Sequence, residues 1–258
     1  MLLNVRDRGD GPAVVLLHGY PLNRTMWDEL ADSLSRRYRV ITPDLPGHGD
    51  SKAPAGIYRM GWMAESVLQT LGTLRVDGPF VIGGLSMGGY VAQAMAVEHG
   101  ERLRGLILMN TRAAADTPEQ ASAREKTASE VVRTGDVGAI AGAMIPRLLA
   151  PESAAGNPGL VHRIEAMILG TPPAGISGAL LGMAAREDRI ADLPRIGLPT
   201  LVVAGDRDAV VPLAEAEAMA AALPKGRLVV VPDVGHLAPI ESPTIVFEAV
   251  ERFLGDLG

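Results

Sequence analysis

The order of apolar and polar positions divides the chain into short β-branched runs separated by longer stretches with helical spacing. AVVLL (13–17), YRVIT (38–42), FVIGG (80–84), LRGLILM (103–109), PTLVVAG (199–205) and RLVVVP (227–232) are apolar on both faces. Strands of that kind belong in a parallel sheet covered by helices on both sides. Between them, Met63, Val67, Leu71 and Leu74 recur at helical spacing, as do Val246, Val250 and Phe253, so each series marks a helix with one buried stripe. Residues 214–222 are alanine-rich and predict a further helix. The whole pattern predicts an α/β fold with a doubly wound, mostly parallel sheet.

One stretch breaks the alternation. From about Arg112 to Ile190 there is no convincing strand, only Ala-, Met- and Leu-rich segments punctuated by Pro146, Pro151, Pro158, Pro172 and Pro173. The prolines exclude one continuous helix and predict several short ones. Residues 1–111 and 191–258 are therefore expected to form the core, with 112–190 a helical lid. The insertion leaves the sheet after one strand and returns for another, which places it over the strands' carboxyl ends, where open α/β sheets bind ligands.

Composition narrows the function. With 258 residues, 47% hydrophobic and 21% charged, the chain suits one globular domain with a sizeable core. A formal charge of −6 without a Lys/Arg cluster excludes a nucleic-acid surface and favours a small, uncharged or weakly charged ligand. The chain has no cysteine, so it has neither disulfides nor thiolate metal sites. The opening MLLNVRDRGDG lacks a signal-peptide core and no apolar run is long enough to span a bilayer, so the expectation is a cytoplasmic protein without membrane contact. No Walker sequence, H-E-x-x-H pair or EF-hand loop occurs, and neither a metal nor a cofactor is expected.

The chemistry centres on VIGGLSMGG (81–89). Gly84-Leu85-Ser86-Met87-Gly88 fits G-x-S-x-G between an apolar strand and a helix-forming sequence, the context that turns a serine into an exposed nucleophile. A bland alternative is a glycine-rich turn whose serine caps the helix. A dinucleotide loop is a poorer match, because Asn110 ends the next strand where that fingerprint requires an acid. A nucleophilic serine needs a histidine as base and a carboxylate to hold the histidine's tautomer. Of the five histidines, His236 stands out, since PDVGHLAPIESP follows the last apolar strand and its loop returns to the sheet's carboxyl edge. His18 and His48 are expected to be structural, bonding within loops. For the acid, Asp206 and Asp208 compete in AGDRDAVVP; Asp208 lies further into the loop and is chosen, with Asp206 better placed to brace the turn.

Ser86, Asp208 and His236, in that chain order, resemble the triad of the α/β-hydrolase superfamily. The resemblance runs over nearly the whole chain, through the HG loop, VITPDLPGHGDS, GLSMGG, GDRDAVVP and GHLAPIESP. It implies an oxyanion hole made by the backbone amides of Tyr20 and Met87. Haloalkane dehalogenases and epoxide hydrolases are also similar, but they attack with a carboxylate where this chain has Ser86. GLSMGG and the HGYP loop look most like small-molecule esterases, enol-lactonases and cofactor-free haloperoxidases. The expected substrate is a small carboxylic ester or lactone cleaved through an acyl-enzyme. Carbon–carbon or thioester hydrolysis on the same fold is one alternative, and a non-catalytic ligand receptor another. The lid suggests an apolar pocket lined by Met144, Met167, Leu181 and Met183, unless these residues are only the lid's own core. Arg112, just beyond a strand end, either holds a substrate carboxylate or braces the lid through a salt bridge. Trp27 is a further candidate for the pocket, as are Tyr20 and Trp62.

Overall fold

A computed structural model describes residues 1–258. Its sheet contains β1 (Val5–Arg8), β2 (Ala13–Leu17), β3 (Arg39–Pro43), β4 (Phe80–Leu85), β5 (Leu103–Met109), β6 (Thr200–Gly205) and β7 (Gly226–Val231). They lie in the order β1-β3-β2-β4-β5-β6-β7. All neighbours from β3 to β7 pair in parallel, and only β1 runs antiparallel, on β3. The six apolar runs are the six parallel strands. The sequence pattern missed β1, VRDR, which is an edge strand of half-exposed polar residues and so carries no core signature.

Side chains along each strand alternate between two cores. Val15 and Leu17 of β2 face one cluster with Ile41 and Ile82, while Val14 and Leu16 face the other with Val40 and Val81. The first is covered by α2 (Met60–Thr73), α3 (Met87–Glu98) and α9 (Leu213–Ala222), the second by α1 (Asp28–Leu34) and α11 (Pro243–Asp256). Fully burying each such Leu, Val or Ile stabilises the fold by about 1.5–3 kcal/mol. Trp27 belongs to the second core. It is wholly buried among Leu22, Met26 and Leu30, which corrects the expectation that it lines a ligand pocket.

Between β5 and β6 the chain forms α4 (Pro118–Thr134), α5 (Val137–Leu148), α6 (Pro151–Gly156), α7 (Pro158–Leu169) and α8 (Pro173–Ala184). Pro151, Pro158 and Pro173 each open a helix, the position where a missing N–H costs nothing. Pro146 differs from expectation, lying inside α5 in its last turn rather than ending it. Thr117 and Gln120 form a reciprocal capping box at the start of α4, and Gly135 closes it in the left-handed region. A final four-residue helix, α10 (Ala238–Glu241), precedes α11.

The insertion is seated on the core by backbone contact. A Cβ on Gly182 would stand 1.8 Å from the Tyr58 carbonyl oxygen, and one on Gly175 would stand 1.9 Å from that of Gly47. The Tyr58 amide donates to the Gly178 carbonyl at 2.9 Å. Gly182→Ala is therefore expected to lower unfolding free energy by about 2 kcal/mol or more in urea titrations. Gly142→Ala, where a Cβ meets nothing within 4 Å, is expected to be neutral or stabilising by up to about 1 kcal/mol. Equal effects of the two substitutions would contradict this close seating of α8.

Candidate active site

The loops that follow the parallel strands converge on one edge of the sheet. At the end of β4, Ser86 has φ 53° and ψ −113°, a conformation that non-glycine residues rarely hold. Its amide donates to the Met109 carbonyl at 3.0 Å, and its own carbonyl accepts from Thr111 Oγ1 at 2.9 Å. Gly84 and Gly88 are required by the tight crossing here. A Cβ on Gly84 would lie 2.2 Å from the Gly88 carbonyl, and one on Gly88 would lie 2.2 Å from the Leu17 carbonyl oxygen.

The loop after β2 runs beside this turn. His18 accepts the Leu45 amide at Nε2 (2.9 Å), so its proton sits on Nδ1, which donates to the Gly19 carbonyl at 3.0 Å. Burial pushes His18 down to about 4, despite its bond to Gly19. His48 stacks 5.0 Å away and is pushed down to about 3, first by burial and then by His18. Both are neutral struts, as their expected structural role requires. The amides of Tyr20 and Met87 donate to no other backbone group, so both are free to meet a ligand.

Asp208 and His236 come together from the loops after β6 and β7. His236 Nδ1 lies 2.8 Å from Asp208 Oδ2, with both side chains buried. Asp208 Oδ1 accepts the amides of Val210 (2.7 Å) and Val211 (2.9 Å), and Oδ2 also accepts Asn110 Nδ2 at 3.0 Å. Burial would raise the carboxyl's pKa, but His236 and these donors outweigh it and hold Asp208 below the usual carboxylate range. Asp206 is exposed and braces its turn only through its amide, which donates to Val231. The Ser86 hydroxyl is not hydrogen-bonded to His236 here, a contact that such sites often tighten only around substrate.

Three residues to which the sequence assigned no role at the site hold these groups in place. Asn110, itself at φ 47°, orients Asp208. Thr111 pins the Ser86 carbonyl. Glu241 accepts the amides of Gly235 (3.2 Å) and Leu237 (3.1 Å), on either side of His236, and that of Ala150 (2.9 Å) from the insertion. The His236 amide in turn donates to Leu148 at the end of α5.

A cavity of about 340 Å³ opens beside the site, lined by Tyr20, Tyr90, Leu148, Leu180, Val210 and Val211 among others. Met144 and Arg112 line it. Met167, Leu181 and Met183 do not. Met167 and Met183 are buried in the two cores, and Leu181 packs against the first, so these three side chains build the insertion's interior. Arg112 bonds Asp116 at 2.7 Å and Gln120 at 3.0 Å. Asp116, whose side chain is buried, is shared with Arg124 and Arg186, and Arg186 lies 3.9 Å over the Tyr90 ring.

The sequence profile described as "Alpha/beta hydrolase family" matches residues 14–249. The chain belongs to the alpha/beta hydrolase family. Among solved structures, this hydrolase is similar to a malate-bound thermophilic esterase from Thermogutta terrifontis, with 44% identity and a TM-score of 0.97, covering 99% of this chain and 93% of that one. It also resembles the enol-lactonase from Burkholderia xenovorans, with 29% identity and a TM-score of 0.91 over 98% and 96% of the two chains. A pimeloyl-[acyl-carrier protein] methyl ester esterase from Aeromonas hydrophila is 30% identical across 99% of this chain and all of its own length. These relatives set the hydrolase in the esterase and lactonase branch, as the resemblance in its motifs implied. No single helix is long and apolar enough to cross a membrane.

The neutral histidines give the hydrolase an acid-sensitive side. With folded values of about 4 for His18 and about 3 for His48, only the unfolded chain binds these protons as pH falls below the ordinary histidine value. Stability is then lost on acidification, at about 1.4 kcal/mol per pH unit for each histidine between roughly pH 6.5 and the folded value. Urea titrations from pH 7 to pH 4.5 are expected to give a shallower slope for a folded His48→Asn variant than for wild type. Parallel slopes would mean that His48 is already charged in the fold.

Proposed function

We propose that the protein is a serine hydrolase that cleaves small carboxylic esters or lactones through an acyl-enzyme. The observation that carries this reading is the buried Asp208–His236 pair, 2.8 Å apart, at the edge of the sheet where Ser86 is held in its strained turn. The names of the relatives, an esterase, an enol-lactonase and a methyl ester esterase, support attack on an ester carbonyl.

In this mechanism Ser86 Oγ attacks the carbonyl carbon and its proton passes to His236 Nε2. Asp208 Oδ2 keeps the other ring proton on Nδ1 and stabilises the imidazolium; it stays ionised throughout. The negative oxygen of the tetrahedral intermediate is held by the Tyr20 and Met87 amides, a contribution of about 3–4 kcal/mol per donor. Collapse expels the alcohol, which takes the proton from His236. Water then attacks the acyl-serine with His236 again as base and releases the acid. The helices α4 to α8 act as a lid that gives the acyl group an apolar wall at Met144, Leu148 and Leu180.

Hydrolysis of p-nitrophenyl esters from acetate to decanoate tests the reading. Wild type is expected to peak at one chain length, Ser86→Ala to lose turnover, and Asp208→Asn to fall by about 10⁴-fold in kcat while staying folded. Undiminished turnover in Ser86→Ala would rule the serine mechanism out. Undiminished turnover in Asp208→Asn would reassign the acid.

A further inference from the structure

The chain carries a formal charge of −6, yet the wall of its cavity is cationic. Arg112, Arg124 and Arg147 line it, and no aspartate or glutamate does. Asp116 is a single carboxylate set against Arg112, Arg124 and Arg186, and Glu215 acts on Arg112 only through its charge. Arg147 is exposed and has no ion-pair partner. Arg112 Nε is buried without an acceptor.

Two of these arginines, Arg124 and Arg147, are built into helical stripes. Gln120, Ala123, Arg124 and Thr127 of α4 line the cavity, as do Ile140, Ala143, Met144 and Arg147 of α5. Each set follows the spacing i, i+3, i+4, i+7, which puts its members on one helix face. The α5 stripe is apolar until its last position, where a guanidinium ends it.

We infer that this cavity is an anion subsite: the hydrolase takes esters or lactones whose carbon chain ends in a carboxylate, with Arg124 and Arg147 receiving that carboxylate and Ile140 and Met144 packing the chain. The inference rests on the ester-hydrolase reading above and specifies its substrate class. A planar guanidinium matches a carboxylate in a two-bond fork, and apolar walls strengthen the attraction by excluding water. Asp116 offsets only part of this charge, and the remaining excess suits an anion. A wholly aliphatic acyl chain would instead strip water from these guanidinium groups and return no bond.

Calorimetric titration of Ser86→Ala protein with monomethyl glutarate, an anionic half-ester, and with neutral dimethyl glutarate tests the subsite. The half-ester is expected to bind at least about tenfold tighter, with that preference shrinking as salt is added. Arg147→Gln, which breaks no ion pair, is expected to remove most of the preference. Equal affinities, tighter binding of the diester, or no heat from either ligand at millimolar concentration would overturn the inference. Its failure is separable from that of the mechanism. A protein that turns over p-nitrophenyl esters through Ser86 but shows no half-ester preference loses only the anion subsite. One that prefers the half-ester but hydrolyses no ester keeps the subsite and loses the serine mechanism.

Discussion

The positive φ of Ser86 is the constraint around which the rest of the site is arranged. Holding a serine there costs on the order of 1–3 kcal/mol, and the cost is met by the sheet. Leu85 pairs with Met109 across β4 and β5, which brings the Met109 carbonyl under the Ser86 amide and Thr111 under its carbonyl. The turn leaves no room for side chains at Gly84 and Gly88. Releasing the turn directly into α3 also leaves the Met87 amide unpaired at a helix N-terminus, where the helix dipole favours negative charge. One strained residue thus sets both the proposed nucleophile and half of the proposed oxyanion hole.

Charge is distributed by environment rather than by residue type. Two histidines are kept neutral by burial and serve as struts under the Tyr20 loop, whereas the third, His236, is given a buried carboxylate partner. The loop carrying His236 is fastened to the insertion twice, through Leu148 and through Glu241 to Ala150. The same α5 that supplies the cavity wall therefore also holds the imidazole in place. The cavity wall and the position of the His236 ring are therefore mechanically linked in this fold.

Much of this was legible in the residues. Strands buried on both faces announce themselves as apolar runs, so all the parallel strands were found, and five spaced motifs gave the family and the residues proposed for catalysis. The antiparallel edge strand was not legible, because a polar strand on a half-exposed edge has no hydrophobic period. The pocket was read poorly for a related reason. Apolar residues of a helical insertion serve its own core or the cavity with equal propriety, and composition does not separate them. Met167, Leu181 and Met183 went to the interior, and Met144 to the cavity. The cavity's charge lay in arginines at helical spacing, Arg124 after Gln120 and Arg147 after Met144, which an overall charge of −6 concealed. Asn110, which in the sequence only argued against a dinucleotide loop, is a hydrogen-bond donor to Asp208.

The central claim is that Ser86 is the nucleophile created by this turn. Covalent labelling with a p-nitrophenyl alkylphosphonate, followed by peptide mass mapping, tests it most directly, because the adduct mimics the tetrahedral intermediate and marks the attacking atom. One equivalent of phosphonate on Ser86, released with one equivalent of p-nitrophenol and absent from a folded His236→Ala variant, is the predicted result. A stoichiometric adduct on another residue, or esterase activity that survives full modification of Ser86, would contradict the account.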